Sequence, residues 1–230
     1  MSATAVAGVL LVALPIAFNV AFAALAKVFD YPDVLRRPTA EVLAGFREGG
    51  TALLLWWWGF MLTAVALAPL AVLLGLVLTG ADATVLRLGA ALGVLAALVQ
   101  FLGLSRWPFL VPYLARVAAE PDLTPARSEA VDVVFQSFNR YLGVAVGEHL
   151  GYLFTGAWTV LVGTAVVQSS VAPAWLGVLG IVFGALLALC SLEFVGPFER
   201  SGWRVAAMTT PIAYVAWSLW LVALGVALLW

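Results

Sequence analysis

Histidine and cysteine are almost missing from this chain, with one of each in 230 residues. Cys190 falls inside an apolar segment, so no intrachain disulfide forms and its expected role is that of a small buried hydrophobe. With His149 as the only imidazole, the usual zinc or iron sets are not available without several carboxylates. No metal site and no cofactor is therefore expected. There is no Walker loop, dinucleotide fingerprint, HExxH or paired CxxC, no serine in a recognisable nucleophile elbow, and no span carries a central lysine for a Schiff base. Charge is also scarce. Only 10% of residues are charged, against roughly 25% in a soluble domain, and the net charge of −1 gives no reason to expect nucleic acid as a partner.

Apolar residues fill the space left by charge: 64% of the chain is hydrophobic and mean hydropathy is +1.09. A core able to bury that much apolar surface in water is too large for this length, so a bilayer is the expected solvent. A helical crossing needs ~20 apolar residues. Six segments qualify, at about 5–26, 51–79, 85–104, 141–167, 173–195 and 205–230, and the fold class expected is an all-α integral membrane bundle forming one transmembrane domain over 1–230. Pro69 is expected to kink the long second segment. Ala24-Leu25-Ala26 resembles a signal-peptidase site, but Met1 to Ala5 holds no basic residue and the apolar run exceeds a typical ~7–15 residue signal core, so the segment is expected to be retained.

Of the eleven Lys and Arg residues, all but Arg87 lie in alternate gaps. Lys27, Arg36, Arg37 and Arg47 follow the first segment, Arg106, Arg116, Arg127 and Arg140 the third, and Arg200 and Arg204 the fifth. The positive-inside rule then makes the odd loops cytoplasmic and places both termini outside. Trp56, Trp57, Trp58, Trp107 and Trp203 are expected in the cytoplasmic interfacial belt and Trp175 and Trp230 in the outer one, with Trp158, Trp217 and Trp220 packed deeper. The first and third loops read as short interfacial helices. Asp30 is expected to cap a short helix at Pro32, Pro38-Thr39 to start a second one with Val42, Leu43 and Phe46 as its apolar face, and Gly49-Gly50 to end it. Thr124-Pro125 is expected to start a helix that runs through Phe138 and Tyr141 into the fourth span. These amphipathic pieces are expected in the headgroup plane. No repeat of three spans plus three is visible, which lowers a transporter reading.

Chemistry, if present, gathers on span four. Gly143, Gly147 and Gly151 recur every four residues and let another helix approach closely, as the pairs Gly89/Gly93 and Gly180/Gly184 do elsewhere. Beside that stripe lies Glu148, with Tyr152 and Thr155 further along its face. A carboxylate in hydrocarbon costs at least ~2.5–3.5 kcal/mol, so it must face the interior, find a partner or take a proton. Asn19, Gln100 and Glu193 should share its leaflet, flanked by Arg106, Arg140, Glu199 and Arg200. Glu148, His149 and Tyr152 are the candidate catalytic residues, and Asn19, Gln100, Arg140 and Glu193 the candidate ligand-binding residues. A structural role is equally open: Glu148 paired with an interfacial arginine, His149 giving one hydrogen bond, Glu193 at the boundary.

At Arg106-Trp107-Pro108-Phe109-Leu110-Val111-Pro112-Tyr113-Leu114, at Asn139 to Gly151 and at Trp175-Leu176-Gly177, the chain resembles a bacterial multi-pass family known only as domain of unknown function 4386. The likeness runs through most of the chain and is best from span three to span six. It implies an integral protein of the bacterial plasma membrane and supplies no catalytic residues. The leading functional reading is a non-catalytic or accessory protein in contact with membrane lipids, binding a lipid or small apolar ligand near the cytoplasmic leaflet. One alternative is a membrane-embedded cyclase or isomerase with Glu148 as general acid, assisted by Tyr152 or His149. The other is a proton-coupled carrier with that carboxylate as relay.

Overall fold

The computed structural model describes residues 2–230. It is built of helices α1 (Ala3–Phe29), α2 (Thr39–Val77), α3 (Ala83–Phe109), α4 (Val111–Val117), α5 (Pro125–Phe138), α6 (Gly151–Gln168), α7 (Ala174–Cys190) and α8 (Arg204–Leu229), with a π-helical stretch, Asn139–Leu150, joining α5 to α6. Among the described residues, six helices are long and apolar enough to cross a membrane, as in a multi-pass membrane protein. The crossings close into a ring in chain order: α1 packs on α2, α2 on α3, α3 on α6, α6 on α7, α7 on α8, and α8 returns to α1. Outward positions are apolar, Leu76, Ile212 and Leu219 among them, which in water would be a liability and in lipid is the matching surface.

Lipid tails are as apolar as leucine, so helices associate in a membrane chiefly through close packing of small residues. The α6–α7 pair shows this directly. A Cβ on Gly156 would stand 2.5 Å from the carbonyl oxygen of Gly184 and 2.6 Å from the amide of Ala188, and one on Gly177 would stand 2.5 Å from the oxygen of Gly163. Backbone meets backbone here, and no side chain can rotate away. Gly156→Ala is therefore expected to force α6 and α7 apart at about 1–3 kcal/mol or more, read as a lower thermal midpoint in nanodiscs. Gly59→Ala is the control, because nothing lies within 4 Å of its added methyl.

Several expectations change at the end of the bundle that carries the basic loops. The backbone keeps helical dihedrals through Pro69 and leaves them within α2 only at Gly50 (φ 55°, ψ −148°). The break thus comes where a glycine tolerates positive φ, separating the Thr39 helix from the span. Asp30 does not cap a following helix. It ends α1 in the left-handed conformation, and its carboxylate pairs with Arg37, while Thr124 caps α5 by accepting from the Arg127 amide at 3.3 Å. Val42, Leu43 and Phe46 are buried in a core shared with Phe29, Trp57, Trp107, Leu114, Val131 and Phe135, so this apolar face lies on protein rather than on lipid. Trp57 and Trp107 correct the belt assignment. Both are 0% exposed and stack face to face at 4.3 Å and 9°, whereas Trp56, Trp58 and Trp175 are exposed.

The opposite end is simpler. Asp82 starts α3, accepting from the amides of Thr84 at 2.8 Å and Val85 at 3.2 Å. Those two bonds hold its carboxyl below the ordinary aspartate value.

Candidate functional site

Span three runs further than its apolar segment: helical structure continues through Phe109 and, after a turn, through α4. Arg106 therefore sits inside a helix and is buried at 7% exposure. Its guanidinium makes two hydrogen bonds and lies beside an indole. Nε donates to Asn139 Oδ1 at 2.9 Å, Nη1 donates to the Gly103 carbonyl, Cζ lies over the Trp107 ring at 5.3 Å from its centre, and Nη2 faces Gly143, where an added Cβ would come within 2.9 Å.

The glycine stripe makes that fit possible. Gly103 and Gly147 bring α3 and the π-helical stretch into backbone contact, with a Cβ on Gly103 only 2.6 Å from Gly147 Cα. Gly151 faces Gln100, whose Nε2 donates to Thr155 Oγ1 at 2.9 Å. Nearby, Trp217 Nε1 donates to Thr159 Oγ1 at 2.8 Å, and Thr159 in turn donates to the Thr155 carbonyl at 2.7 Å. A polar ladder thus ties α3, α6 and α8 together. The stripe lies along a π-helical stretch of twelve residues; π-turns are rare and frequent at functional sites.

Inside the ring, α1, α2, α3 and α8 leave a narrow, partly open cleft of about 30 Å³, its wall including Phe18, Thr63, Gln100, Leu104, Tyr214 and Trp217. Aromatic rings continue it. Tyr152 meets Tyr214 at 5.3 Å, Tyr214 stacks on Phe18 at 5.9 Å, Phe18 meets Phe60 at 4.9 Å, Phe60 meets Phe22 at 6.3 Å, and Phe22 meets Tyr31 at 5.6 Å. Glu148 lies within electrostatic reach of Tyr31, Tyr152 and Tyr214, which include both ends of this series, and of Arg106 and Glu193. Glu148, Tyr31, Tyr152 and Tyr214 are each half-buried. Among the described residues, the Glu148 carboxyl makes no hydrogen bond and no ion pair within 4.0 Å. Tyr31 lies outside the spans, and burial, helped by the charge of Glu148 and opposed by that of Arg106, pushes its phenol up to about 12. It is a neutral hydrogen-bond donor at physiological pH.

The other residues singled out from the sequence lie elsewhere or are engaged. Gln100 lines the cleft, and Tyr152 meets the lining residue Tyr214 at 5.3 Å. Asn19 Nδ2 donates to Ser218 Oγ at 3.0 Å and to the Pro15 carbonyl at 2.7 Å, joining α1 to α8. His149 Nδ1 sits 2.8 Å from the Ser191 carbonyl; a carbonyl only accepts, so that nitrogen carries the proton and ties span four to the end of span five. Arg140 is at the surface, paired with Glu199 at 2.9 Å. Glu193 is half-buried in the turn Ser191–Phe194, within electrostatic reach of Glu148. Sequence reasoning missed Tyr31, Tyr214, Phe18, Phe22 and Phe60. The i, i+4 spacing of Phe18 and Phe22 is the one signal that puts two of these rings on a single helix face.

A family model described as "Domain of unknown function (DUF4386)" matches residues 6–225. The chain belongs to this family. No curated protein and no solved structure matches it. The match to DUF4386 takes in all of the residues that form the cleft and its polar border.

Proposed function

We propose that this DUF4386 protein binds a small, largely apolar ligand in the aromatic cleft, as a non-catalytic or accessory protein of the bacterial plasma membrane. The alternate placement of Lys and Arg supports both termini outside the cytoplasm and the Arg106–Glu148 end in the cytoplasmic leaflet. The observation that carries the reading is a partly open cleft of about 30 Å³, mostly apolar and with Gln100, Thr63 and Tyr214 among its lining residues, on the same bundle as a carboxyl, Glu148, that makes no hydrogen bond or ion pair among the described residues. Ligand sites are concave and mostly apolar, with a few convergent polar groups, and that combination is present here.

Filling the cleft tests this. Ala64 lines it and is buried, so Ala64→Phe places a ring in the space. Native mass spectrometry of the protein taken from its membrane should find a small-molecule adduct that Ala64→Phe loses. A wild-type protein without an adduct, together with an Ala64→Phe variant that melts higher, would mean that the cleft is only a packing defect.

A second reading rests on the same carboxyl. Glu148 stands four residues before Tyr152 on span four, and a carboxyl there that carried a proton would have the makings of a general acid; an adduct recovered as two chemically related species, one of them lost in Glu148→Gln, would favour an enzyme over a binding protein.

A further inference from the structure

We propose that Arg106 holds a phosphate group at the seam between α3 and the π-helical stretch. This site is separate from the cleft, whose lining does not include Arg106. A guanidinium carries five N–H donors and keeps its charge in a protein. Two of the five are engaged, by Asn139 Oδ1 and by the Gly103 carbonyl, which leaves one on Nη1 and both on Nη2. Arg106 is 7% exposed, yet among the described residues no carboxylate pairs with it within 4.0 Å. Glu148, the one acidic residue of the stretch Asn139–Leu150, is included in that statement. A buried cation with no counter-charge in contact is unfavourable, so an anion from outside the chain has much to stabilise here.

The free donors can be reached. Among the described residues, the side-chain nitrogen and oxygen atoms that are both fully enclosed and unpartnered are the indole nitrogens of Trp57, Trp107 and Trp158. Nη2 of Arg106 and Nδ2 of Asn139 also lack partners and fall outside that group, so both touch open space. Gly143 leaves the approach clear, since a Cβ there would stand 2.9 Å from Nη2. A planar guanidinium binds the oxygens of a phosphate in pairs, and the Asn139 amide adds a neutral donor. Exposed aromatic residues flank the seam along the chain: Phe109 three residues past Arg106, Phe138 next to Asn139, and Tyr141 two before Gly143. Such rings are favoured at the level of lipid headgroups. A headgroup and a free phosphate offer the same oxygens, and the seam lies at the end of the bundle that carries the basic loops.

Thermal midpoints test the assignment on the full-length protein, delipidated in maltoside micelles and phosphate-free buffer. The additions are dioleoylphosphatidic acid, dioleoylglycerol with the same chains and no phosphate, and sodium phosphate against sodium chloride of equal ionic strength. Phosphatidic acid should raise the midpoint at least about 3 °C above dioleoylglycerol if the source is a headgroup, and sodium phosphate should do so over chloride if the source is a free anion. Arg106→Ala removes scaffold contacts as well, so the change is made next to it. Asn139→Asp keeps the Oδ1 acceptor of Nε and supplies the missing counter-charge from within the chain. That variant should melt above the wild type without additions, and its response to phosphate or phosphatidic acid should fall below about 1 °C. Arg116→Ala removes an exposed arginine from the same end and should keep the wild-type response. No rise from either phosphate source, a response that survives Asn139→Asp, an Asn139→Asp protein that melts lower, or a response lost in Arg116→Ala each overturns the site.

Discussion

Arg106→Ala is expected to lower stability by about 3–5 kcal/mol, the range seen when one partner is removed from a buried charged network. Loss of monodisperse protein or a large fall in thermal midpoint would report it. The reason is geometric. One side chain serves Asn139, Gly103 and Trp107 at once, and the glycines at 143 and 103 have no bulk with which to fill the hole it would leave. Arg106→Lys should recover little, because an ammonium keeps the charge but cannot make the Nε and Nη1 bonds together. If lysine restored full stability, charge alone would be at work and the contacts described above would be incidental.

Trp107→Ala is the second large effect, about 3–5 kcal/mol for truncating a fully buried tryptophan. Trp107 stacks on Trp57 at 4.3 Å and on Phe46 at 6.2 Å, and meets Phe29 edge-on at 5.5 Å, binding the Thr39 helix, span two and span three into one aromatic core. A double-mutant cycle with Trp57→Ala should give a coupling of about 0.5–1.5 kcal/mol, the range for an aromatic pair. Trp56→Ala, on an exposed face one residue from Trp57, should change little by comparison. Equal losses at Trp56 and Trp107 would point to interfacial anchoring for both and contradict the buried pair.

The architecture was legible in the sequence because each crossing must satisfy its own backbone and show lipid an apolar surface. That requirement writes long, charge-poor runs into the chain, and all six were found. Glycine spacing was legible for a similar reason: Gly143, Gly147 and Gly151 have no function in an isolated helix, so they announce a close neighbour, and α3 is that neighbour. What could not be read was which side chains point inward where composition is ambiguous. Trp57 and Trp56 are adjacent and identical, yet one is enclosed and the other exposed. Arg106 looked like a loop residue because it follows an apolar run, but its guanidinium finds two acceptors inside the bundle, Asn139 Oδ1 and the Gly103 carbonyl, and the helix continues past it. The cleft itself was beyond reach, since Phe18, Phe60 and Tyr214 come from three different helices and only the ring closure of α8 onto α1 brings them together. The twelve-residue π-helical stretch left no mark in the sequence that separates it from an ordinary helix.

Thermal unfolding of Glu148→Gln in nanodiscs, beside the wild type, asks most directly whether this carboxyl is free or part of the scaffold. A group without a hydrogen bond or close ion pair gives the fold nothing to lose, so the amide should leave the midpoint unchanged or raise it slightly. A carboxylate locked to Arg106 would instead cost about 3–5 kcal/mol on replacement, and a collapse of that size would contradict the uncommitted acid on which the ligand site is built.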